Sequence, residues 1–530
     1  MRFIDVLSVL SKSSPYAVST ENKYPDLNNL LDKVKKDLYV TMPIEQKVKE
    51  VISLLNDRPR QVFFLCGSSG DGKSELLVNT IDEAEEHVRF HLDATHSFDP
   101  HENAVQTLDK LFDEFEQGKF SLVVGINVGM LGNYEQEGRN TLFKSAIKAF
   151  QQNKTEVAGF TFISFEDYPK FEITPNGVQA DFARKVMARI TSPDSLLFKI
   201  YQRESAHQPD AESQRVVINY RLMCLPEVQD VIVELLFKAR LVRDQFLTAR
   251  GLLDFVYHLL TGAGYLFDNL FSGGDNELAD KLVEFDPALL RTKVIDRFLM
   301  SEDLKLENSQ FDVFCTEVAQ KYALPSLSNP KSYIRLFYIL KNSELDANFT
   351  QQFQRDFVQH LLSDYLDVYR AHVFFEDTPA CREKLKAFYN KKLISALRLY
   401  INRNAPQLSN KQFLVAQLEN YKIASQLEIK LDIAAIKANK TVKSNTFHAH
   451  LKIGAHLLDF EVNINLFELL DRINAGYRPS KNDRSAVILL NDVASRIALI
   501  ARESNELLIS TESSQYKFSL DDDYIEAEEL

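Results

Sequence analysis

Between residues 56 and 191, apolar and polar positions alternate in a pattern that predicts strands followed by helices. Apolar runs predict strands, and amphipathic stretches predict helices. The predicted strands are at 61–66, 88–93, 121–127 and 159–165, and the predicted helices are at 73–86, 101–117 and 139–151. Alternation of this kind is typical of a parallel sheet with helices on both faces. We therefore predict an α/β core over residues 56–191, preceded by an N-terminal helical segment over residues 1–55.

After residue 191 the pattern changes to nearly continuous helical periodicity. Residues 192–346 predict a helical region that follows the core and resembles a lid. Residues 347–530 begin with further helices and continue with alternating stretches such as 427–433 and 460–464. Alternating stretches favour strands, so we expect a mixed α/β C-terminal domain.

The clearest chemical signal lies between the first predicted strand and the first predicted helix of the core. The segment Gly67-Ser68-Ser69-Gly70-Asp71-Gly72-Lys73-Ser74 matches the Walker A pattern, in which backbone N–H groups curl around a phosphate. In that pattern Lys73 reaches the β- and γ-phosphates and the Ser74 hydroxyl faces Mg²⁺, while the helix that follows adds the positive end of its dipole. Residues 67–74 are called the glycine loop below.

The glycine loop predicts a site for ATP and Mg²⁺ in a P-loop NTPase core. The predicted nucleotide contacts are Gly67, Ser69, Gly70, Asp71, Gly72, Lys73, Ser74 and Glu75. The alternative is a glycine-rich turn that connects a strand to a helix and binds no ligand. The apolar strand before the loop and the predicted helix after it favour the phosphate-binding interpretation.

Nucleotide hydrolysis needs a further acid that holds Mg²⁺ or orients water, normally at the end of a strand beside the loop strand. Asp93 ends the predicted strand 88–93, at the edge where parallel sheets bind ligands. We predict Asp93 as a catalytic residue and, together with Ser74, as a Mg²⁺ ligand. A second interpretation stays open, in which Asp93 only caps the turn that follows it.

Asn127 ends the predicted strand 121–127 and resembles the polar sensor of AAA+ ATPases, whose amide can orient the attacking water. A simple cap of the strand-end turn is the alternative role. No predicted strand ends in the Asp-Glu pair of a Walker B motif. Slow hydrolysis, or a switch that mainly binds nucleotide, therefore stays open.

An arginine often stabilises charge during phosphoryl transfer, and two arginines are candidates. Arg250 lies in a predicted helix that resembles the sensor-2 helix of AAA+ lid domains, and Arg139 follows the strand that ends in Asn127. Either one can equally be a surface ion-pair partner. With Arg250 as the preferred candidate, the pattern as a whole predicts an AAA+-like core, a helical region and a mixed α/β domain.

Composition excludes some classes of protein. The net charge of −13 argues against a chain that coats DNA unaided, although it permits work on DNA through partners. No apolar run reaches the ~18 residues that span a bilayer, and the first residues lack a signal-peptide pattern, so we expect a cytoplasmic protein without membrane contact. The four cysteines are far apart and predict neither disulfides nor a cysteine zinc site.

Two other kinds of site are weaker candidates. His87, His91, His96 and His101 lie near Asp93 and Asp99, but no spacing among them places a third zinc ligand. The triplet Glu428-Ile429-Lys430 has the spacing of restriction-type nuclease sites, yet it lacks an upstream acid on a matching hairpin. We therefore predict neither a zinc site nor a nuclease site.

Several segments together resemble one family. They are the glycine loop, Phe90-His91-Leu92-Asp93-Ala94-Thr95-His96-Ser97, Gly125-Ile126-Asn127-Val128-Gly129-Met130-Leu131, Leu10-Ser11-Lys12-Ser13-Ser14-Pro15-Tyr16-Ala17-Val18 and Gly476-Tyr477-Arg478-Pro479-Ser480. In these segments the chain resembles, over its whole length, the DptF (DndF) family of phosphorothioation-dependent DNA restriction proteins.

The resemblance implies a role in bacterial antiviral defence. It implies an ATP-binding subunit that acts with two sister restriction subunits on DNA that lacks sulfur in its backbone. Lys73 and Ser74 would be nucleotide contacts, and ATP would power or gate cleavage done by other subunits. The alternative function is an NTP-dependent regulatory or scaffold switch, AAA+-like or STAND-like, with little hydrolysis. A homo-oligomer stays open under both.

Overall fold

The structure of the protein is a computed structural model. It describes residues 2–14, 29–58, 60–95, 97, 101–207, 210–358, 360–409, 411–438, 445–480, 483–504, 506–511, 514–521 and 524–530. The chain forms two compact units. Unit 1 comprises Met1–Glu172 and Val178–Val358, and unit 2 comprises Ile173–Gly177 and Gln359–Leu530.

A parallel sheet forms the centre of unit 1 and confirms the predicted α/β core. Its strands are β1 (Val62–Gly67), β2 (Val88–His91), β3 (Ser121–Asn127), β4 (Glu156–Val157) and β5 (Phe160–Ser164). They lie in the order β2-β3-β1-β5-β4, in which β2, β3, β1 and β5 are parallel and β4 is antiparallel to β5. The strand with the glycine loop therefore has a parallel neighbour on each side.

Both faces of this sheet are buried, because the strand side chains alternate between two apolar clusters. Phe64 and Cys66 of β1 belong to one cluster, and Phe63 and Leu65 belong to the other. The helices that precede these strands or lie between them in the chain are α1 (Phe3–Leu7), α2 (Leu30–Asp37), α3 (Pro43–Asp57), α4 (Lys73–Val78), α5 (Ala104–Gln117), α6 (Val128–Glu137) and α7 (Thr141–Gln151). Apolar side chains of α3 and α4 pack on one face, and those of α5, α6 and α7 pack on the other.

Two helices near the glycine loop differ from the prediction. The helix predicted at 73–86 ends at Val78, where the Thr80 hydroxyl bonds back to the carbonyls of Leu76 and Leu77. Helix α6 was missed because its two glycines are typical of a turn. It forms because the side chain of Asn127 caps its N-terminus.

A short hairpin, β6 (Glu172–Thr174) and β7 (Gly177–Gln179), follows β5, and its residues Ile173–Gly177 belong to unit 2. The remainder of unit 1 is helical. Its helices are α8 (Asp181–Thr191), α9 (Leu196–Ala206), α10 (Ala211–Met223), α11 (Pro226–Arg243), α12 (Ala249–Thr261), α13 (Leu266–Asn269), α14 (Glu277–Leu282), α15 (Lys293–Asp303), α16 (Ser309–Tyr322), α17 (Pro330–Ile339) and α18 (Gln354–Phe357). This agrees with the helical periodicity of residues 192–346. Among the described residues, no helix has both the length and the apolar character needed to cross a membrane.

Unit 2 combines helices with two antiparallel sheets, as the C-terminal pattern predicted. Its elements are α19 (His360–Val373), α20 (Pro379–Ala387), α21 (Ile394–Ile401), β8 (Gln412–Leu418), β9 (Tyr421–Gln426), β10 (Ile429–Leu431), α22 (Ile433–Ala438), β11 (Phe447–Ile453), β12 (His456–Val462), α23 (Ile464–Asn474), α24 (Arg484–Arg502), β13 (Glu506–Ser510), β14 (Gln515–Asp521) and β15 (Tyr524–Glu529). The sheet orders are β10-β11-β12 and β15-β14-β13-β9-β8.

The two stretches predicted as C-terminal strands, 427–433 and 460–464, both end earlier in the structure than the alternating pattern suggests. In the first, the strand covers only Ile429–Leu431, and a helix begins at Ile433. In the second, the strand ends at Val462 because the Asn463 side chain caps the following helix through Leu466 N–H. In both places the strand ends because a helix begins, although the alternating pattern alone would extend the strand.

A buried histidine links the helices of unit 2 to its three-stranded sheet. His372 Nδ1 lies 2.8 Å from the Val368 carbonyl and its Nε2 lies 3.1 Å from the Tyr389 hydroxyl. The Tyr389 hydroxyl accepts from the backbone N–H of His450, and the His372 ring stacks on Phe447. Burial lowers the pKa of His372 from 6.5 to about 3, so the folded protein holds this ring neutral.

We expect His372 to make unit 2 sensitive to acid. The unfolded chain binds a proton below pH 6.5 and the folded chain does not, so the stabilisation is complete above 6.5 and is lost as pH falls towards 3. Between pH 7 and pH 5 the wild type should lose about 2 kcal/mol more unfolding free energy than a His372→Gln variant. Hydrogen exchange of β11 amides at both pH values measures this difference. An identical loss in both proteins would contradict it.

Candidate functional site

The glycine loop connects β1 to α4 and has a backbone that requires glycine. Gly70 and Gly72 have φ angles of 82° and 98°, in the left-handed region that side chains with a Cβ rarely adopt. A Cβ on Gly70 would also lie 3.1 Å from the Cβ of Arg250. The glycine therefore permits both the turn of the loop and the close approach of α12.

Lys73 is buried at the junction of the loop and α4. Its Nζ donates to the carbonyl oxygens of Gly67, at 3.1 Å, and Ser68, at 2.8 Å. Burial lowers the pKa of the Lys73 ammonium, while the carboxylates of Asp71 and Asp93 act in the opposite direction and favour the charged form. The loop thus holds a cation that is in electrostatic contact with two acids.

Asn127 lies directly beside the first residue of the glycine loop. The parallel register of β1 and β3 pairs Asn127 with Gly67. Its Oδ1 accepts from Met130 N–H at 2.6 Å and caps the N-terminus of α6. Because a backbone N–H can only donate, the cap also fixes the amide orientation and directs the NH₂ group away from α6. Asn127 lines the cavity beside the loop.

Asp93 is brought to the same edge of the sheet by a close approach of two chain segments. Ala94 N–H donates to the Gly125 carbonyl at 2.9 Å, and a Cβ on Gly125 would lie 2.4 Å from the Leu92 carbonyl oxygen. Only glycine in β3 allows this approach. Asp93 Oδ1 accepts from the backbone N–H and the hydroxyl of Thr95, so Asp93 also caps its own turn.

The helical region supplies an arginine to the loop. Helix α12 is capped by Thr248, whose hydroxyl accepts from Gly251 N–H, and its second residue is Arg250. Arg250 N–H donates to the Gly70 carbonyl at 3.0 Å, and the positive charge of Arg250 lowers the pKa of Lys73. The start of α12 is therefore attached to the glycine loop, and the Arg250 side chain lines the same cavity.

The cavity is also lined by Ser69, Asp71 and Ser74 of the loop and by Glu75, which follows it, whereas Gly67 is not among the lining residues. Ser74 donates its hydroxyl to the Leu92 carbonyl at 3.2 Å. Glu75 forms an ion pair with Lys35 of α2 at 3.0 Å. Asp71 accepts from Ser68 N–H at 2.7 Å and forms a buried ion pair with Lys170. Ser69 also contributes to the cavity wall.

The cavity has a volume of about 470 Å³ and two chemically different sides. Its polar side consists of the glycine loop with Asp93, Asn127 and Arg250. Its apolar side comes from the N-terminal segment, α8 and α12, through Val9, Leu10, Leu38, Val40, Val186 and Leu253. The backbone N–H of Lys12 donates to Asp254 of α12 at 2.8 Å, which holds the N-terminal segment beside that helix. A cavity of this size and composition suits a small ligand with one charged end and one apolar end.

Arg139 lies elsewhere. Its Nε and backbone N–H donate to the buried carboxylate of Asp109, which also accepts from the Tyr134 hydroxyl. The Arg139 side chain is 79% exposed and does not line the cavity. Of the two candidate arginines, the fold therefore brings only Arg250 to the glycine loop.

The zinc and nuclease candidates gain no support from the described part of the chain. No group of three His, Cys, Asp or Glu side chains that could hold a metal occurs among the described residues, and His96 and Asp99 lie outside them. His87 instead bonds to the Leu55 carbonyl. Glu428 and Lys430 are both exposed and form an ion pair with each other.

Comparisons of the chain with protein-family models, curated proteins and solved structures return no match. What the site can do is therefore inferred from its residues and their geometry. Sequence reasoning identified the loop, both strand ends and Arg250, but it missed Lys170 and the apolar side of the cavity. Lys170 carries no motif and lies 99 positions from its partner Asp71, so no local spacing could have indicated it.

Proposed function

We propose that unit 1 is a P-loop NTPase of AAA+-like type that binds ATP with Mg²⁺. The observation that carries this proposal is the convergence of four separate elements on one cavity. The glycine loop, the ends of β2 and β3, and the start of α12 bring Lys73, Asp93, Asn127 and Arg250 together there. Parallel sheets bind ligands at this edge, outside the carboxyl ends of their strands.

The donor set fits ATP and Mg²⁺. Lys73 and Arg250 supply positive charge for the phosphates, and the glycine backbone leaves room for them to approach. Ser74 and Asp93 would hold Mg²⁺, which prefers hydroxyl, carboxylate and water oxygens. The bound ion would neutralise part of the phosphate charge. The apolar side of the cavity would take the base and ribose.

Each polar residue then has a defined role in hydrolysis. Arg250 and Lys73 stabilise the negative charge that develops on the phosphate oxygens. Asn127 lines the cavity, and its amide, whose oxygen is engaged by the α6 cap, can position a water molecule there. Asp93 is the strand-end acid that lines the cavity, and no second acid follows it, because the next residue is Ala94.

The second candidate function is a nucleotide-dependent switch with little hydrolysis. Asp93 supports it, because one carboxylate oxygen already accepts two hydrogen bonds from Thr95. With one oxygen engaged in this way and no second acid next to it in the chain, Asp93 has less capacity to accept a hydrogen bond from an attacking water. Binding and release of nucleotide would then be the main events at the site.

An Asn127→Ser variant separates hydrolysis from binding. Serine is as good an N-cap as asparagine, so α6 stays capped while the amide donor is removed. For an ATPase we expect turnover to fall about tenfold to a hundredfold while the dissociation constant for ATP changes little. Calorimetric titration with ATP and Mg²⁺ and a phosphate-release assay measure both quantities. Unchanged turnover would exclude a catalytic role for Asn127, and a wild type that binds without turnover would favour the switch.

At the level of the cell, we propose that this ATPase is a subunit of a phosphorothioation-dependent restriction complex in the cytoplasm, active in phage defence. The support is the family resemblance of the segments quoted above, together with a net charge that suits DNA contact through partners. Pull-down of the tagged chain from its native host should recover two sister restriction subunits. DNA together with those subunits should raise its ATP turnover. Recovery of unrelated partners would contradict this assignment.

A further inference from the structure

A buried acid lies within the glycine loop, where negative charge opposes phosphate binding. Asp71 Oδ2 accepts from Ser68 N–H at 2.7 Å, and its carboxylate also lies 3.1 Å from the position of a Cβ on Gly67. The carboxylate therefore stabilises the loop conformation through a hydrogen bond within the loop. The same charge would repel a phosphate bound to that loop unless another group neutralised it.

Lys170 supplies the opposite charge. Its Nζ forms an ion pair with Asp71 Oδ1, and the two side chains are only 8% and 9% exposed. The rings of Phe165 and Phe182 lie 5.7 and 5.6 Å from the same Nζ. This enclosure excludes solvent from the pair and places the lysine against the faces of two aromatic rings, which also favour a cation.

The ion pair changes the charge that a phosphate meets at the loop. With Asp71 paired to Lys170, and Glu75 paired to Lys35, both of these cavity-lining acids have a lysine partner. Loss of Lys170 would leave Asp71 as a buried carboxylate without its ion-pair partner. A buried charge without its partner acts strongly on its neighbours, because little water screens it.

We propose that Lys170 is a positioning residue for nucleotide binding, which lets Asp71 hold the glycine loop without repelling the phosphates. This inference rests on the proposed ATP site. In it, Lys170 contacts neither the phosphates nor the reacting atoms. It acts through Asp71, and its effect is on the affinity for ATP.

Two single substitutions that break the same ion pair test the proposal. Lys170→Met leaves the buried carboxylate, so the dissociation constant for ATP should rise about tenfold or more. Asp71→Asn still offers an oxygen to Ser68 N–H and removes the negative charge, so ATP should bind as tightly as to the wild type or more tightly. The double variant, D71N/K170M, should return to within about threefold of the wild type. Circular dichroism verifies folding, and Lys170→Arg, which keeps the charge, should rescue most of the affinity.

The signs of the two effects distinguish this role from a structural one. If the ion pair were merely structural, both single substitutions would weaken ATP binding. Weaker ATP binding by Asp71→Asn, or wild-type binding by Lys170→Met, overturns the proposal, and if K170M does not fold the Asp71→Asn result decides. The nucleotide site itself is judged separately, by ATP binding of the wild type and its loss in Lys73→Ala. A wild type that binds no ATP overturns the proposed function and this inference together.

Discussion

Replacement of Lys73 by alanine is expected to abolish ATP binding. Lys73 is the buried cation of the glycine loop, and in the described structure its Nζ satisfies two loop carbonyls, those of Gly67 and Ser68. Without it the phosphates lose their closest charged partner, so we expect the dissociation constant to rise by about a hundredfold or more. Calorimetric titration with ATP and Mg²⁺ measures the loss.

A Lys47→Ala variant is the matched control for this experiment. Lys47 lies on α3 of the same unit, where it forms an exposed ion pair with Glu50. Its replacement should leave ATP binding unchanged, since exposed pairs of this kind contribute little. If ATP bound to Lys73→Ala as tightly as to the control, the assignment of the glycine loop as a phosphate site would be wrong.

Replacement of Arg335 by methionine is expected to destabilise unit 1 strongly. The Arg335 guanidinium forms ion pairs with Asp268 at 2.8 Å and with Asp286 at 2.7 Å. These pairs connect α17 to α13 and to the turn before residue 287. Removal of the cation leaves two carboxylates close together and partly or fully buried, so we expect a loss of about 3 kcal/mol or more. Urea denaturation followed by circular dichroism measures this loss.

An Arg291→Met variant controls for the loss of an arginine as such. The Arg291 side chain is 84% exposed and its ion pair with Asp296 is 3.5 Å long. We expect this variant to change the free energy of unfolding by less than about 1 kcal/mol. Equal losses in the two variants would mean that the buried network around Arg335 adds nothing beyond a surface charge.

Much of the central sheet could be predicted from local pattern. β1 and most of β3 are apolar and buried because both faces of a parallel sheet are covered, and such runs are visible in the sequence. Parallel strands end at one edge, so Asp93 and Asn127 could be expected near the loop before the register was known. The register then pairs Asn127 with Gly67.

Other features had no local signal. Met130 N–H donates to the Asn127 side chain, which caps α6, a helix that the pattern did not predict, and the Thr80 hydroxyl bonds back to α4 where that helix ends early. Both outcomes depend on single side-chain hydrogen bonds that periodicity does not record. The choice between Arg139 and Arg250 depended on which of two distant segments the fold brings to the glycine loop.

The sequence by itself determined the phosphate-binding pattern of the glycine loop, the alternation that makes an α/β core, and the helical and mixed regions that follow. These features depend on residue spacing along one segment, and local backbone geometry follows from that spacing. Only the tertiary structure decided that Arg250 reaches Gly70 and that Lys170 neutralises Asp71. Contacts across such separations depend on how whole elements pack, because burial, rather than spacing, brings their charges together.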